Sequence, residues 1–121
     1  MATILIVDDQ PSIRVLLKGI LSRTGHDLRF AENGLEALEV LEQRSIDLLI
    51  TDINMPQMDG LELLSRLQNR PDLPKIVMSA QRPQDIGAKL EAHDVADLFE
   101  KPLDIKRLRG RIEELLAQPR P

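Results

Sequence analysis

Short apolar runs alternate along this chain with longer stretches in which apolar residues return every three or four positions. Ile4-Leu5-Ile6-Val7 is a continuous, partly β-branched run, as expected of a strand buried on both faces, and it stops abruptly at Asp8-Asp9. Pro11 opens a helix carrying Ile13, Leu16, Leu17 and Ile20 on one face, and Gly25 ends it. Asp27-Leu28-Arg29-Phe30-Ala31 alternates polar and apolar, the mark of a strand with a wetter face at a sheet edge. Asn33-Gly34 breaks that pattern before a second helix marked by Leu35, Leu38 and Leu41. Asp47-Leu48-Leu49-Ile50 enters the core, and Leu61, Leu64 and Leu67 give a third helical stripe closed before Pro71 and Pro74. Ile76-Val77-Met78 is another buried run ending in Ser79-Ala80. The weakest helix follows, roughly 83–93, with Gly87 inside it and only Ile86 and Leu90 as large anchors. Leu98-Phe99 is a short last strand running into Lys101-Pro102. Asp104 then caps a final helix with Ile105, Leu108, Ile112 and Leu115 inward.

Five strand–helix alternations predict an α/β fold, a parallel sheet with helices on both faces. The predicted domain is 1–117, with 118–121 as a tail or linker stub. At 121 residues one core is expected, and with aromatics at 2% Leu, Ile and Val must fill it. A net charge of −4 gives no electrostatic reason to bind nucleic acid or an anionic membrane. The absence of cysteine excludes disulfides and thiolate chemistry. No apolar run approaches the roughly 20 residues of a membrane span, and Met1 leads straight into a strand rather than a signal peptide. A soluble, cytoplasmic domain is the expectation.

In such sheets the working site lies beyond the carboxyl ends of the strands. Asp8-Asp9, Asp52, Ser79 and Lys101 all stand there. Carboxylates gathered at one edge repel one another, and a hard divalent cation such as Mg²⁺ removes that penalty while leaving room for water and a phosphate oxygen. The plainer reading of Asp8-Asp9 is a pair of acids at the positive end of the first helix. Asp52 ends a buried strand, where a carboxylate can act as a nucleophile toward phosphorus. Ser79 would donate to a phosphoryl oxygen and Lys101 would supply positive charge to another. Taken singly, Ser79 also fits a turn and Lys101 a surface ion pair; their joint placement at strand ends favours the site.

Asp8-Asp9, then Asp52-x-Asn54-Met55-Pro56-x-Met58-Asp59-Gly60, then Ser79-Ala80 and Lys101-Pro102, together resemble the receiver domain of bacterial two-component response regulators, the chemotaxis regulator among them, from Thr3 to about Ala117. The resemblance implies a (βα)5 flavodoxin-like fold with sheet order 2-1-3-4-5. It implies Asp52 as phosphoacceptor and Mg²⁺ held by Asp9, Asp52 and the backbone carbonyl of Asn54, with Asp8 acting through water. It makes Ser79 the switching hydroxyl, Lys101 the phosphate-pairing lysine and the Lys101–Pro102 bond cis. The phosphoryl donor would be a sensor histidine kinase or a histidine phosphotransfer protein. The output would be a downstream target or an attached effector domain, and a phosphorylation-dependent homodimer is compatible with it. Two positions depart from the pattern. Leu98 stands where the family usually carries Tyr or Phe, and Val95 where it commonly has alanine. Phe99, one place on, should point to the opposite face of its strand.

The module turns over no external metabolite and is not read as an enzyme. An Mg²⁺-dependent phosphatase with an aspartyl-phosphate intermediate would often place a second aspartate two residues after the nucleophile, where this chain has Asn54. An interaction module that has lost phosphorylation would not be expected to keep every one of these residues. His26 and His93 lack a second ligand at metal spacing, Met55 and Met58 read as packing residues, and Lys106, Arg107, Arg109 and Arg111 as a solvated basic face.

Overall fold

The computed structural model describes residues 2–118; Pro119–Pro121 of the predicted tail lie outside the described residues. Strands β1 (Thr3–Val7), β2 (Asp27–Ala31), β3 (Leu48–Asp52), β4 (Lys75–Ser79) and β5 (Asp97–Glu100) alternate with helices α1 (Pro11–Leu21), α2 (Gly34–Gln43), α3 (Gly60–Arg66), α4 (Pro83–Leu90) and α5 (Ile105–Ala117). The strands pair in parallel in the order β2-β1-β3-β4-β5, the expected doubly wound flavodoxin-like sheet. Register puts Ile6 beside Ile50 and Phe30, and Asp52 beside Met78, so the strand ends that carry the acids come out level.

Alternation along each strand divides the core in two. Ile4, Ile6, Leu48, Ile50, Ile76, Met78 and Phe99 pack with Leu17 and Leu21 of α1 and Leu108, Ile112 and Leu115 of α5. On the other face Leu5, Val7 and Leu49 meet Ala37 and Leu41 of α2 and Leu63 of α3, while Val77 meets Ile86 and Leu90 of α4. β1, β3 and β4 are nearly all buried, as their unbroken apolar runs require. β2 is partly exposed along most of its length because it is the edge strand that its alternating pattern predicts.

The helical stripes are shifted from the sequence reading in two places. Leu16 and Leu35 are exposed, Leu35 at 45%. Adjacent helical residues are turned by about 100° from one another, so Leu16 yields to the Leu17–Leu21 pair; Leu35, two residues before Ala37, faces about 200° away from it. α4 closes at Leu90, short of His93, because the chain turns there with His93 N–H on the Leu90 carbonyl. α1 ends in a 3-10 turn (Ser22–Thr24) before Gly25, which takes the left-handed conformation (φ 82°) that glycine adopts without a Cβ clash. Asp104 caps α5 by accepting from Arg107 N–H, and Asn33 and Asp59 cap α2 and α3 in the same way. Among the described residues no helix is long and apolar enough to cross a membrane.

Candidate functional site

The carboxyl ends of β1, β3, β4 and β5 deliver Asp8, Asp52, Ser79 and Lys101 to one edge of the sheet. Asp8 is wholly buried. Its N–H donates to the Ala31 carbonyl (3.1 Å), its own carbonyl accepts from Arg14 Nη1 (2.7 Å), and its Oδ1 accepts from Gln10 N–H (2.9 Å). Both the backbone and the carboxylate are therefore fixed. Asp52 is also buried; its Oδ1 accepts from Ile53 N–H (2.8 Å) and its carbonyl from Thr51 Oγ1 (2.9 Å).

Lys101 joins the two acids. Its N–H donates to the Ser79 carbonyl (2.8 Å), and the bond to Pro102 is cis. Its Nζ donates to Asp8 Oδ2 at 2.9 Å, to Asp52 Oδ2 at 3.2 Å and to Gln10 Oε1 at 3.2 Å. An ammonium has three N–H donors, and all three are used. Burial pulls the Lys101 proton affinity down, but the bonded Asp8 and the charge of Asp52 outweigh it, so the pKa is raised and the side chain stays charged. The Asp52 pKa is raised as well, first by burial and then by Asp8, against the opposing pull of Lys101 and the Ile53 amide. The site resists a second anionic oxygen beside Asp8 unless more positive charge arrives.

Asp9 completes the cluster. It is exposed, and one oxygen from each of Asp8, Asp9 and Asp52 lies within 4.8 Å of the others. Three carboxylates against one ammonium leave two uncompensated negative charges on hard oxygen donors, which is the charge and chemistry of a divalent cation site. Asn54 is exposed, two positions after Asp52 in the loop that follows β3.

Gly60 explains the tightness of this loop. Its N–H donates to the Ile53 carbonyl at 2.7 Å, and a Cβ at this position would overlap the Asp52 carbonyl oxygen and sit 2.8 Å from Ile53 Cα. Only glycine lets α3 start this close behind Asp52. Met55 and Met58 are buried in the packing beneath the loop.

The side chains of the remaining residues singled out from the sequence are not bonded to the charge cluster. Ser79 is fully buried at the end of β4, and its Oγ accepts from Gln81 N–H (2.9 Å) rather than bonding Asp52 or Lys101. Leu98 is partly buried against the cluster of Ile53, Leu64, Val77, Ile86 and Leu90, whereas Phe99 is buried on the opposite face with the Arg107 guanidinium 4.0 Å from its ring centre. Arg107 and Arg111 also clamp Asp97, so half of the basic set on α5 is engaged within the domain. His26 accepts from Ala2 N–H through Nδ1 and reaches Glu113 through Nε2; His93 holds a buried Nδ1 with no partner among the described residues.

Two contributors to the site, and one buried lysine at the opposite end of β4, are absent from the sequence reading. Gln10 and Arg14 have no motif signal beyond following an acid pair at a strand end. Lys75 does leave a trace, a lysine after Pro74 at the mouth of a buried strand. It is only 2% exposed, with Nζ donating to the carbonyls of Arg70 and Leu73.

The model of the response regulator receiver domain matches residues 4–113. The chain is 38% identical to the DNA-binding transcriptional regulator NtrC of Rhizobium meliloti across 98% of its own length and 25% of that protein's. It thus spans about a quarter of the curated relatives of that type. It is 34% identical to sporulation initiation phosphotransferase F of Bacillus subtilis, covering 93% of this chain and 92% of that one. The structure is similar to response regulator protein TrrA of Thermotoga maritima in complex with Mg(2+)-BeF, with TM-score 0.84, 33% identity, and 95% and 99% of the two chains covered.

Proposed function

This chain belongs to the response regulator receiver domain family, the phosphoacceptor module of two-component systems, and from that premise we propose that Asp52 is the carboxylate that takes the phosphoryl group. The observation that carries the reading is the Lys101 ammonium bridging Asp8 and Asp52 at the strand ends, with Asp9 beside them. A lone pair on an Asp52 oxygen attacks the phosphorus of a phosphohistidine. The O–P bond forms as the P–N bond breaks; the bonding pair stays on the imidazole nitrogen, which takes up a proton. The products are an aspartyl phosphate and a neutral histidine. The protein's part is positioning and charge, as expected where the transferring group carries the reactivity.

Each neighbour has a role. Lys101 pairs with a phosphoryl oxygen. Asp9 and Asp52, with the Asn54 backbone carbonyl, would hold Mg²⁺, and Asp8 would act through water, as the resemblance to the family implies. A bound Mg²⁺ supplies neutralisation of the charge on the transferring oxygens. Ser79 would exchange the Gln81 amide contact for the phosphoryl group and carry the change toward α4. The donor is a sensor histidine kinase or a histidine phosphotransfer protein. The output is altered affinity for a protein partner or an attached effector domain in the cytoplasm, and the module itself is a switch rather than an enzyme with an external substrate.

Incubation with acetyl phosphate and Mg²⁺ should add one phosphoryl group, labile to base and to hydroxylamine, that Asp52→Asn abolishes. An acid-stable and base-stable phosphate on a serine or threonine would overturn the assignment.

A further inference from the structure

Lys101 has no uncommitted N–H: Asp8, Asp52 and Gln10 take one each. Any anionic oxygen that pairs with Lys101 must therefore displace one of the three. The acceptors differ in kind. Asp8 is charged, wholly buried and braced from behind by the Gln10 amide. Asp52 is charged and buried in turn. Gln10 is neutral and exposed. Bonds to an ionised partner are roughly twice as strong as neutral ones, so in the unmodified site the Gln10 contact is the weakest of the three.

The local backbone assigns that side chain to Lys101. Gln10 sits at the N-cap of α1 with extended dihedrals (φ −88°, ψ 115°), and Pro11 follows at the first helical position. An N-cap side chain ordinarily turns back to a free helix N–H, but that of Gln10 makes no such bond. Its carbonyl accepts from Ile13 and Arg14, its N–H holds Asp8 Oδ1, and its side-chain oxygen is left for Lys101 Nζ.

We propose that Gln10 is a positioning residue, the exchangeable third acceptor of Lys101. It occupies the third N–H of the unmodified site and gives it up to the incoming phosphoryl oxygen. The inference rests on the reading of Asp52 as phosphoacceptor and adds to it the residue that competes for the lysine.

Two isosteric variants separate the possibilities. Gln10→Glu turns the neutral acceptor into a charged one that holds Lys101 more firmly; Gln10→Met removes the acceptor. Without ligand, Gln10→Glu should lower the melting temperature less while Lys101 is present, where the new carboxylate pairs with it, than in a Lys101→Met background, where the added charge meets only acids. In beryllofluoride titrations with Mg²⁺, followed by amide NMR shifts, Gln10→Glu should weaken half-saturation by about five- to tenfold. Gln10→Met should bind at least as tightly as the native chain. An equally large fall in melting temperature in both backgrounds, or Gln10→Met binding more weakly than Gln10→Glu, overturns the assignment. The underlying reading fails separately, if the beryllofluoride response survives in Asp52→Asn.

Discussion

Lys101→Met removes one positive charge from between two buried carboxylates, and its effect can be bounded from the structure. Asp8 and Asp52 are 0% and 7% exposed at their side chains and Lys101 is 13% exposed, so water cannot fully replace the ammonium. Breaking a buried pair by removing one member costs about 3–5 kcal/mol. A ceiling comes from proton uptake. Instead of enduring the bare charge, one carboxyl can bind a proton, and doing so at pH 7 from an ordinary value of 3.8 costs about 4 kcal/mol. The loss at pH 7 without Mg²⁺ is therefore about 3–4 kcal/mol. Asp52 is the proton acceptor, because burial and then Asp8 already hold its pKa above the ordinary value even with Lys101 opposing. A carboxyl raised in the folded state contributes stability that is present below its unfolded pKa and is lost as pH rises through the folded one. Removing Lys101 raises the folded pKa further, so the gap between native chain and variant should widen with pH, by no more than about 1.4 kcal/mol per unit. Urea unfolding in EDTA at several values from pH 4.5 to 8 measures this directly. A gap that is flat across that range, or equally large in an Asp52→Asn background, would show that the Lys101 bridge does not govern the site.

Four further outcomes are expected. Gly60→Ala should destabilise by about 1–3 kcal/mol in urea unfolding and weaken beryllofluoride binding, since the new methyl can clear only by moving the Asp52 backbone. Millimolar Mg²⁺ should raise the melting temperature, by the equivalent of about 2.7 kcal/mol at a hundredfold excess over Kd, and Asp9→Ala should remove most of that rise. Lys75, whose pKa is lowered chiefly by burial against the pull of Asp94 and Asp72, binds a proton more weakly folded than unfolded. Unfolding followed as pH rises toward 10.5 should show the native chain gaining stability relative to Lys75→Met. Amide exchange with and without beryllofluoride should change most over residues 79–93, and Ser79→Ala should reduce phosphorylation-dependent partner affinity more than Leu98→Ala.

Most of the architecture is legible in the hydrophobic pattern because β1, β3 and β4 are buried on both faces and β2 alternates, while β5 is marked only by the pair Leu98-Phe99. Ile4–Val7 and Ile76–Met78 leave no other reading. The stripes of α1 and α2 were less legible, since consecutive leucines at 16 and 17, or a leucine in the first turn at 35, do not say which one the sheet will face. The acids and the lysine are visible because they terminate buried strands, an expensive place for charge without a purpose. Arg14 and Lys75 bond nearby backbone carbonyls that no motif marks, whereas Gln10 meets Lys101 only once the sheet is assembled. Gln10 and Lys101 are 91 positions apart, and nothing local to either announces the other.

The register of β5 has a consequence for how the site communicates. Leu98 and Phe99 are neighbours in sequence, but the pleat sends them to opposite cores, Leu98 toward α4 and Phe99 beneath Arg107 of α5. Phe99 is 1% exposed and cannot swing toward Ser79 without abandoning its core. Leu98 is partly exposed and has no ring or hydroxyl with which to form a new directional contact. The element beside Ser79 that can respond is α4, an eight-residue helix with two buried residues, Ile86 and Leu90, and a glycine between them. Few buried apolar contacts make such a helix inexpensive to displace. The route proposed for a switch in this chain therefore runs through the Ser79–Gln81 turn into α4, with Leu98 following as packing rather than leading as a latch.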